Sequence, residues 1–154
     1  METQTLESII AGHEFFAGLE PSYTALLVSC ASNVGFEAGR YILREGQEAN
    51  EFYLIRQGRV SIEIAPPQGK SIAVDSLGEG DILGWSWLLA PYHWKFHARA
   101  VEKVRAIALD GRCLRNKCEQ NHDLGYELLK RFSQIMNRRL DATRIQLLDV
   151  YAAH

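Results

Sequence analysis

Nothing in the 154 residues approaches the ~20 consecutive apolar residues that a helix needs to cross a bilayer. The opening METQTLESII places acidic residues, and no basic flank, before its apolar positions, so it does not read as a secretory leader. Net charge is also scarce. Lys and Arg number 17 against 19 Asp and Glu, leaving −2, which gives no general attraction to nucleic acid or to an anionic membrane. Cysteine is sparse and odd in number, and Cys30, Cys113 and Cys118 show no paired-motif spacing. Without a leader, the expectation is buried or half-buried reduced thiols in a cytoplasmic protein. Cys113 and Cys118 are five apart, off the i, i+4 spacing of neighbours on one helical face, which argues against a metal pair. Disorder is excluded from the other side, since 47% hydrophobic and 23% charged residues are ordinary globular values. A chain of this length can bury a real core as one domain spanning 1–154.

What is present changes period twice along the chain. Leu6 to Gly12 and Pro21 to Ala31 read as helices, the second opened by Pro21 in its first turn, and together they make an N-terminal helical region over 1–33. From Val34 short alternating segments separated by glycines predict strands over 34–110, the pattern of a jelly-roll or sandwich. In one of them Val60, Ile62 and Ile64 are expected on a dry face and Ser61 and Glu63 on a wet one. Pro66-Pro67-Gln68-Gly69 turns the chain into a hairpin partner over Ser71 to Leu77. Phe96 to Val101 and Val104 to Asp110 return as strands. From 111 to 154 the period is helical, first in Arg112 to Gln120 and then almost to the end from Asp123, which is expected as the N-cap.

Between two strands lies GDILGWSWLLAPYHWK, Gly80 to Lys95, the one stretch that reads as a site. Gly84 allows a sharp turn or close approach to a ligand, and Ser86-Trp87-Leu88-Leu89 fits a short helical turn capped by Ser86 and ended by Pro91. A glycine before a helix N-terminus gathers free N–H groups toward a phosphate-sized anion.

Three upstream motifs carry a resemblance. Phe15-Phe16-Ala17-Gly18-Leu19, Gly39-Arg40-Tyr41-Ile42-Leu43-Arg44-Glu45-Gly46 and Phe52-Tyr53-Leu54-Ile55-Arg56-Gln57-Gly58-Arg59-Val60 occur in the order found in the cyclic-nucleotide-binding domain family. The resemblance covers nearly the whole chain. It implies a mainly β fold with flanking helices: a cyclic-nucleotide-binding-type jelly-roll β-barrel, N-terminal helices and a long C-terminal dimerisation helix, with 80–95 as the phosphate-binding cassette. The long helix carries Leu124, Leu128, Leu129, Phe132, Ile135, Met136, Leu140, Thr143, Leu147 and Val150, an apolar stripe too broad for one partner surface. Its heptad-spaced set Leu129, Met136, Thr143 and Val150 allows the homodimer that the family implies. The resemblance is nearest to the branch of catabolite activator protein-like regulators, whose members continue into a helix-turn-helix domain. No Arg/Lys-rich recognition helix is read here, so nucleic-acid binding is not carried over with the fold.

In nucleotide-binding relatives a Glu after the cassette glycine accepts from the ribose hydroxyl, and an Arg near the cassette's end pairs with the cyclic phosphate. Here Trp85 follows Gly84, and the Arg position falls on Lys95 or on Trp94, depending on register. Lys95 offers a point charge without a bidentate fork. Arg99, in the next strand, can point either way. Trp85, Trp87, Tyr92 and Trp94, followed by Phe96, can fill the pocket, line it for a flat ligand, or form a partner surface. Thr143 falls where relatives touch the base.

The ligand-binding set is therefore Gly84, Trp85, Ser86, Trp87, Trp94, Lys95, Arg99 and Thr143, with a small-molecule or nucleotide ligand left open and no metal. The function expected is a non-catalytic regulatory or sensory module that is no tight binder of cAMP or cGMP. A ligand-free protein-interaction module with a plugged cassette is the alternative. A cupin-type metal enzyme is disfavoured, because the closely spaced His pair followed by Glu is absent, and Gly84-Trp85-Ser86-Trp87 lacks the second glycine of a nucleophile elbow.

Overall fold

The computed structural model of the chain describes residues 5–152. Two helices come first: α1 (Leu6–Gly12), with the Thr5 hydroxyl accepting from the Ser8 N–H, and α2 (Pro21–Ser29). Between them Glu14–Phe16 forms one 3-10 turn that buries Phe15 and Phe16. Eight strands follow: β1 (Ala31–Phe36), β2 (Tyr41–Leu43), β3 (Glu51–Gln57), β4 (Val60–Ile64), β5 (Ile72–Leu77), β6 (Ile82–Leu83), β7 (His97–Ala100) and β8 (Val104–Asp110). They form two antiparallel four-stranded sheets, ordered β1-β8-β3-β6 and β2-β7-β4-β5. The helices α3 (Gly111–Gln120) and α4 (His122–Ala152) close the chain. The fold is thus mainly β with flanking helices.

The chain divides into two compact units within α3, after Asn116. The first holds both sheets. Its core is aromatic and branched aliphatic: Phe52, Leu54, Ile55, Val60, Leu83, Val104, Ile107 and Leu109 are all essentially inaccessible. Both β3 and β8 bury residues on their two faces, as central strands with covered faces must. The second unit is the end of α3 with α4. Its first half buries Leu124, Leu128, Phe132 and Ile135, whereas from Leu140 onward every described residue is exposed.

Several expectations are corrected. The second helix stops at Ser29 and not at Ala31, because Cys30 caps it and Ala31 already pairs with Leu109 of β8; strand structure therefore begins at 31 and not at 34. The hairpin partner starts at Ile72, one residue late. The long helix is capped by Asn121, whose Oδ1 accepts from the Leu124 N–H, and not by Asp123. The two-faced reading of β4 fails at both ends. Ser61 and Glu63 are buried while Ile64 is 45% exposed, since Ser61 stands opposite Arg99 and Glu63 opposite His97 on β7, and the Arg99 guanidinium compensates the carboxylate.

The thiol expectation also falls. Cys30 and Cys113 are disulfide-bonded, with Cα atoms 6.2 Å apart. The pairing of β1 with β8 brings the end of α2 beside the first turn of α3, and the Asp110 N–H donates to the Cys30 carbonyl. No spacing rule could reveal a contact across 83 residues. Cys118 remains a free, half-buried thiol, its pKa raised by burial and by the Glu119 carboxylate.

Candidate functional site

The cassette is anchored before it begins. His13 bonds the Gly80 carbonyl through Nε2 at 2.7 Å, while its Nδ1 accepts from the Phe15 N–H. The Gly78 N–H donates to the Asp81 carboxylate at 2.8 Å, closing the turn into β6, and Leu83 pairs with Tyr53 of β3. The Tyr53 phenol is pushed well above its ordinary range by burial, assisted by the Glu51 carboxylate.

At Gly84 the backbone takes φ +97°, a conformation that side-chain-bearing residues rarely adopt. A Cβ there would stand 2.6 Å from Cη2 and 2.7 Å from Cζ3 of Trp94. The glycine is needed twice, for its dihedral and for the space its missing side chain leaves to the indole. Trp94 is 3% exposed and leans on Phe96, its ring centre 6.2 Å away. The segment that presents it is held by backbone bonds: Trp94 N–H to Gln47 O at 2.9 Å, Gly46 N–H to Trp94 O at 2.9 Å, and Ala49 N–H to Tyr92 O at 2.7 Å.

The short helical turn expected at Ser86 to Leu89 is a single turn, closed by the Leu88 N–H on the Trp85 carbonyl at 3.0 Å, and does not extend into a helix. Trp87 dictates this, because its indole is fully buried and stacked on Phe52 with ring centres 5.0 Å apart and planes 15° from parallel. The Trp87 carbonyl is consequently turned toward α3, where Nη1 of Arg115 donates to it and also, at 3.3 Å, to the Ala49 carbonyl. The same guanidinium lies 4.2 Å from the centre of the Tyr92 ring. Without a helix, no helix dipole adds positive potential after Gly84.

The other expected site residues scatter. Trp85 is half-buried, Ser86 buried and Lys95 exposed. Arg99 does not reach toward the cassette as a free cation. Its Nε and Nη2 both donate to one Glu63 oxygen, at 3.0 and 2.9 Å. Thr143 belongs to the second unit, and its hydroxyl donates to the Arg139 carbonyl one turn back, at 2.8 Å. The structure therefore brings Gly84 and Trp94 into contact and commits Arg99 elsewhere. Among the described residues no cluster of three or more His, Cys, Asp or Glu could hold a metal. His97 Nδ1 accepts from the Glu45 N–H at 3.2 Å.

Two participants carry no local signal. For Arg115 the sequence period indicates only a helix, and its reach to two cassette-side carbonyls depends on how the start of α3 meets the sheets. For Glu63 strand alternation indicates the wet face, and only the β4–β7 register reveals its partner.

Two antiparallel four-stranded sheets with a loop between β6 and β7 that turns at Gly84 define the jelly-roll class of the barrel unit. The profile of the family described as "Cyclic nucleotide-binding domain" matches residues 33–121, and the chain belongs to that family. It is 28% identical over 145 residues to a CRP-like cAMP-activated global transcriptional regulator of Mycobacterium tuberculosis, an alignment covering 94% of this chain and 63% of that protein. A shorter match, 33% identical over 82 residues, covers 53% of this chain and 24% of acetyltransferase Pat of Mycolicibacterium smegmatis. Among solved structures, one from Geobacter metallireducens classed as a cyclic nucleotide-binding protein superposes with a TM-score of 0.80 at 27% identity, covering 89% of this chain and 99% of that one. The chain is a regulatory, sensory type of domain, and it spans less than two thirds of the mycobacterial regulator it matches. No helix among the described residues is long and apolar enough to cross a membrane.

Proposed function

We propose that this chain is a non-catalytic, cytoplasmic regulatory module whose cassette has departed from cyclic-nucleotide chemistry and is closed by its own aromatic residues. One observation carries the reading: the outer ring of Trp94 occupies the space that Gly84 leaves open. A ligand that enters along the direction a Gly84 side chain would take meets that indole first. The polar chemistry points the same way, because Trp85 stands where the ribose-binding carboxylate is expected, Lys95 or Trp94 where the phosphate-binding guanidinium is expected, and Arg99 is tied to Glu63. Each lost charged hydrogen bond is worth about 1.5–3 kcal/mol, so two losses weaken binding by roughly a hundredfold to ten-thousandfold.

Gly84, Trp85, Ser86, Trp87, Trp94 and Lys95 are the residues through which a displacing ligand would act, with Arg99 and Thr143 the outlying members. A flat apolar ligand that takes the place of the Trp94 ring would loosen the paired 46–49 and 92–94 segments, a change of the kind that shifts populations in sensor domains. A second reading, a ligand-free docking module, is favoured by the exposed Leu89, Ala90 and Pro91 at the cassette's tip.

The assembly proposed is a homodimer through α4, supported by the exposed Leu129, Leu140, Leu147 and Val150 along a helix of 31 residues. No duplex DNA binding is proposed for these residues themselves, because the net charge is −2 and the Arg144 guanidinium lies 3.5 Å from the Asp141 carboxylate. Isothermal titration tests the central point. The wild type should bind cAMP and cGMP with dissociation constants weaker than about 100 µM. Binding at or below a few micromolar would overturn the closed-cassette reading.

A further inference from the structure

Cys30 and Cys113 are the second covalent link between the two ends of the barrel unit, and what that link holds is the cassette. Gly111, at the start of α3, donates its N–H to the Asn50 carbonyl at 2.7 Å, and a Cβ on it would stand 2.8 Å from Cβ of Trp87. The N–H of Cys113 is capped by the Asp110 carboxylate at 3.1 Å. Two residues on, Arg115 grips the carbonyls of Trp87 and Ala49 and covers Tyr92. Three of the first five residues of α3 therefore join the end of α2, through the disulfide, to both limbs of the cassette loop.

We propose that the Cys30–Cys113 pair is a reversible thiol–disulfide switch that sets how firmly α3, and through it Arg115, holds the Trp85–Tyr92 loop. Cys113 is half-buried while Cys30 is buried, so the Cys113 sulfur is the end open to exchange. In the opening step a thiolate of an external dithiol attacks that sulfur, the S–S bond breaks, and Cys30 leaves as thiolate and takes a proton. The second thiol of the reductant then attacks the mixed disulfide, releasing Cys113. The protein gains two electrons and two protons, and the dithiol leaves as a disulfide. A low-molecular-weight disulfide reverses the sequence by the same exchange. In a reducing compartment the pair rests open, and disulfides that form there act as sensors more often than as staples. With the bond open, the first turn of α3 keeps its capping and Arg115 bonds but loses its covalent tie to α2. Local opening of the loop becomes easier without loss of the sheets.

The inference concerns the loop's own mobility and stands whether or not the cassette takes a ligand. The test uses the full chain in glutathione buffers of stepped redox ratio, with alkylation and mass spectrometry to count thiols and hydrogen exchange to read the loop. The expectation is one reversible transition in which Cys30 and Cys113 gain two hydrogens while Cys118 is alkylatable throughout. Amide exchange over Trp85–Tyr92 should accelerate about tenfold on reduction, with the β3 and β8 amides unchanged. Cys118→Ser should keep the response, and Cys113→Ser should show the fast exchange in every buffer. Failure to form the bond at any ratio overturns the proposal, as does exchange in the loop that ignores the bond. Global unfolding of the reduced wild type by far-UV circular dichroism also overturns it, since the bond would then be a structural staple. Because the wild type supplies both states, a misfolded Cys113→Ser variant does not blunt the test.

Discussion

Gly84→Ala tests the closed cassette most directly, because the methyl group is the smallest probe that meets both constraints at once. The φ of +97° costs a non-glycine residue about 1–3 kcal/mol. The contacts at 2.6 and 2.7 Å with Trp94 are overpacking, which costs another ~1–3 kcal/mol unless the ring moves. The single variant should lose about 2–6 kcal/mol, a large share of an ordinary domain's 5–15 kcal/mol. The two terms separate in a Trp94→Phe background, since a phenyl ring is too short to reach Gly84. There the backbone penalty persists and the overpacking vanishes. Urea unfolding followed by far-UV circular dichroism measures all four proteins, and the coupling energy should equal the overpacking part, about 1–3 kcal/mol. A Gly84→Ala cost that is the same in both backgrounds within ~0.5 kcal/mol refutes the placement of the Trp94 ring over Gly84.

Replacing Leu129 and Met136 of α4 by Glu should turn a dimer into a monomer in analytical ultracentrifugation; a wild type already monomeric at tens of micromolar, on the order of common dimer constants, removes the dimer proposal. Glu63→Leu strips Arg99 of its carboxylate. Arg99 is 37% exposed at its side chain, so solvent takes over part of the loss, and the cost should be about 1–2 kcal/mol, below that of a fully buried broken pair. No measurable change on denaturant unfolding would mean the pair contributes nothing. Cys118, with its thiol pKa raised by burial and Glu119, carries less thiolate at neutral pH than an unperturbed cysteine; iodoacetamide should label it slowly near pH 7 and faster as pH rises through and beyond the normal thiol range. Labelling already at its maximum rate at pH 8 contradicts that environment.

The fold was legible because its signals are local. Turn glycines such as Gly39, Gly46 and Gly58 adopt positive φ, so their spacing in the chain marks the strand ends, and the switch to helical period after 110 survives in α3 and α4. What could not be read depends on register and on contacts distant in sequence. The alternation Val60, Ser61, Ile62, Glu63 obeys the period of a half-wet strand, yet Arg99 on β7 buries Glu63 with a charge attached. Ser86-Trp87-Leu88-Leu89 carries helix-compatible chemistry locally, yet Phe52 captures the Trp87 ring and Arg115 its carbonyl. Cys30 and Cys113 meet only because β1 pairs with β8. In each case tertiary contacts override a sound local preference.

The same contrast explains how a family's fold can persist while its site changes. Gly84 in an open cassette serves backbone approach to an anion; here an equally small residue with φ +97° serves the approach of an indole instead. The backbone requirement is identical in the two cases, so a glycine at this position reports the shape of the loop and not the identity of what fills it. Identity is carried by the polar groups around it, and the nearby guanidinium groups are engaged within the protein: Arg99 with Glu63, Arg115 with the carbonyls of Trp87 and Ala49. Guanidinium groups committed to protein acceptors are unavailable to a phosphate unless those bonds break, and each charged hydrogen bond given up offsets the one gained. On the reading we propose, the cassette resists a cyclic phosphate through occupancy by Trp94, with Arg99 and Arg115 already engaged and Lys95 the exposed cation that remains.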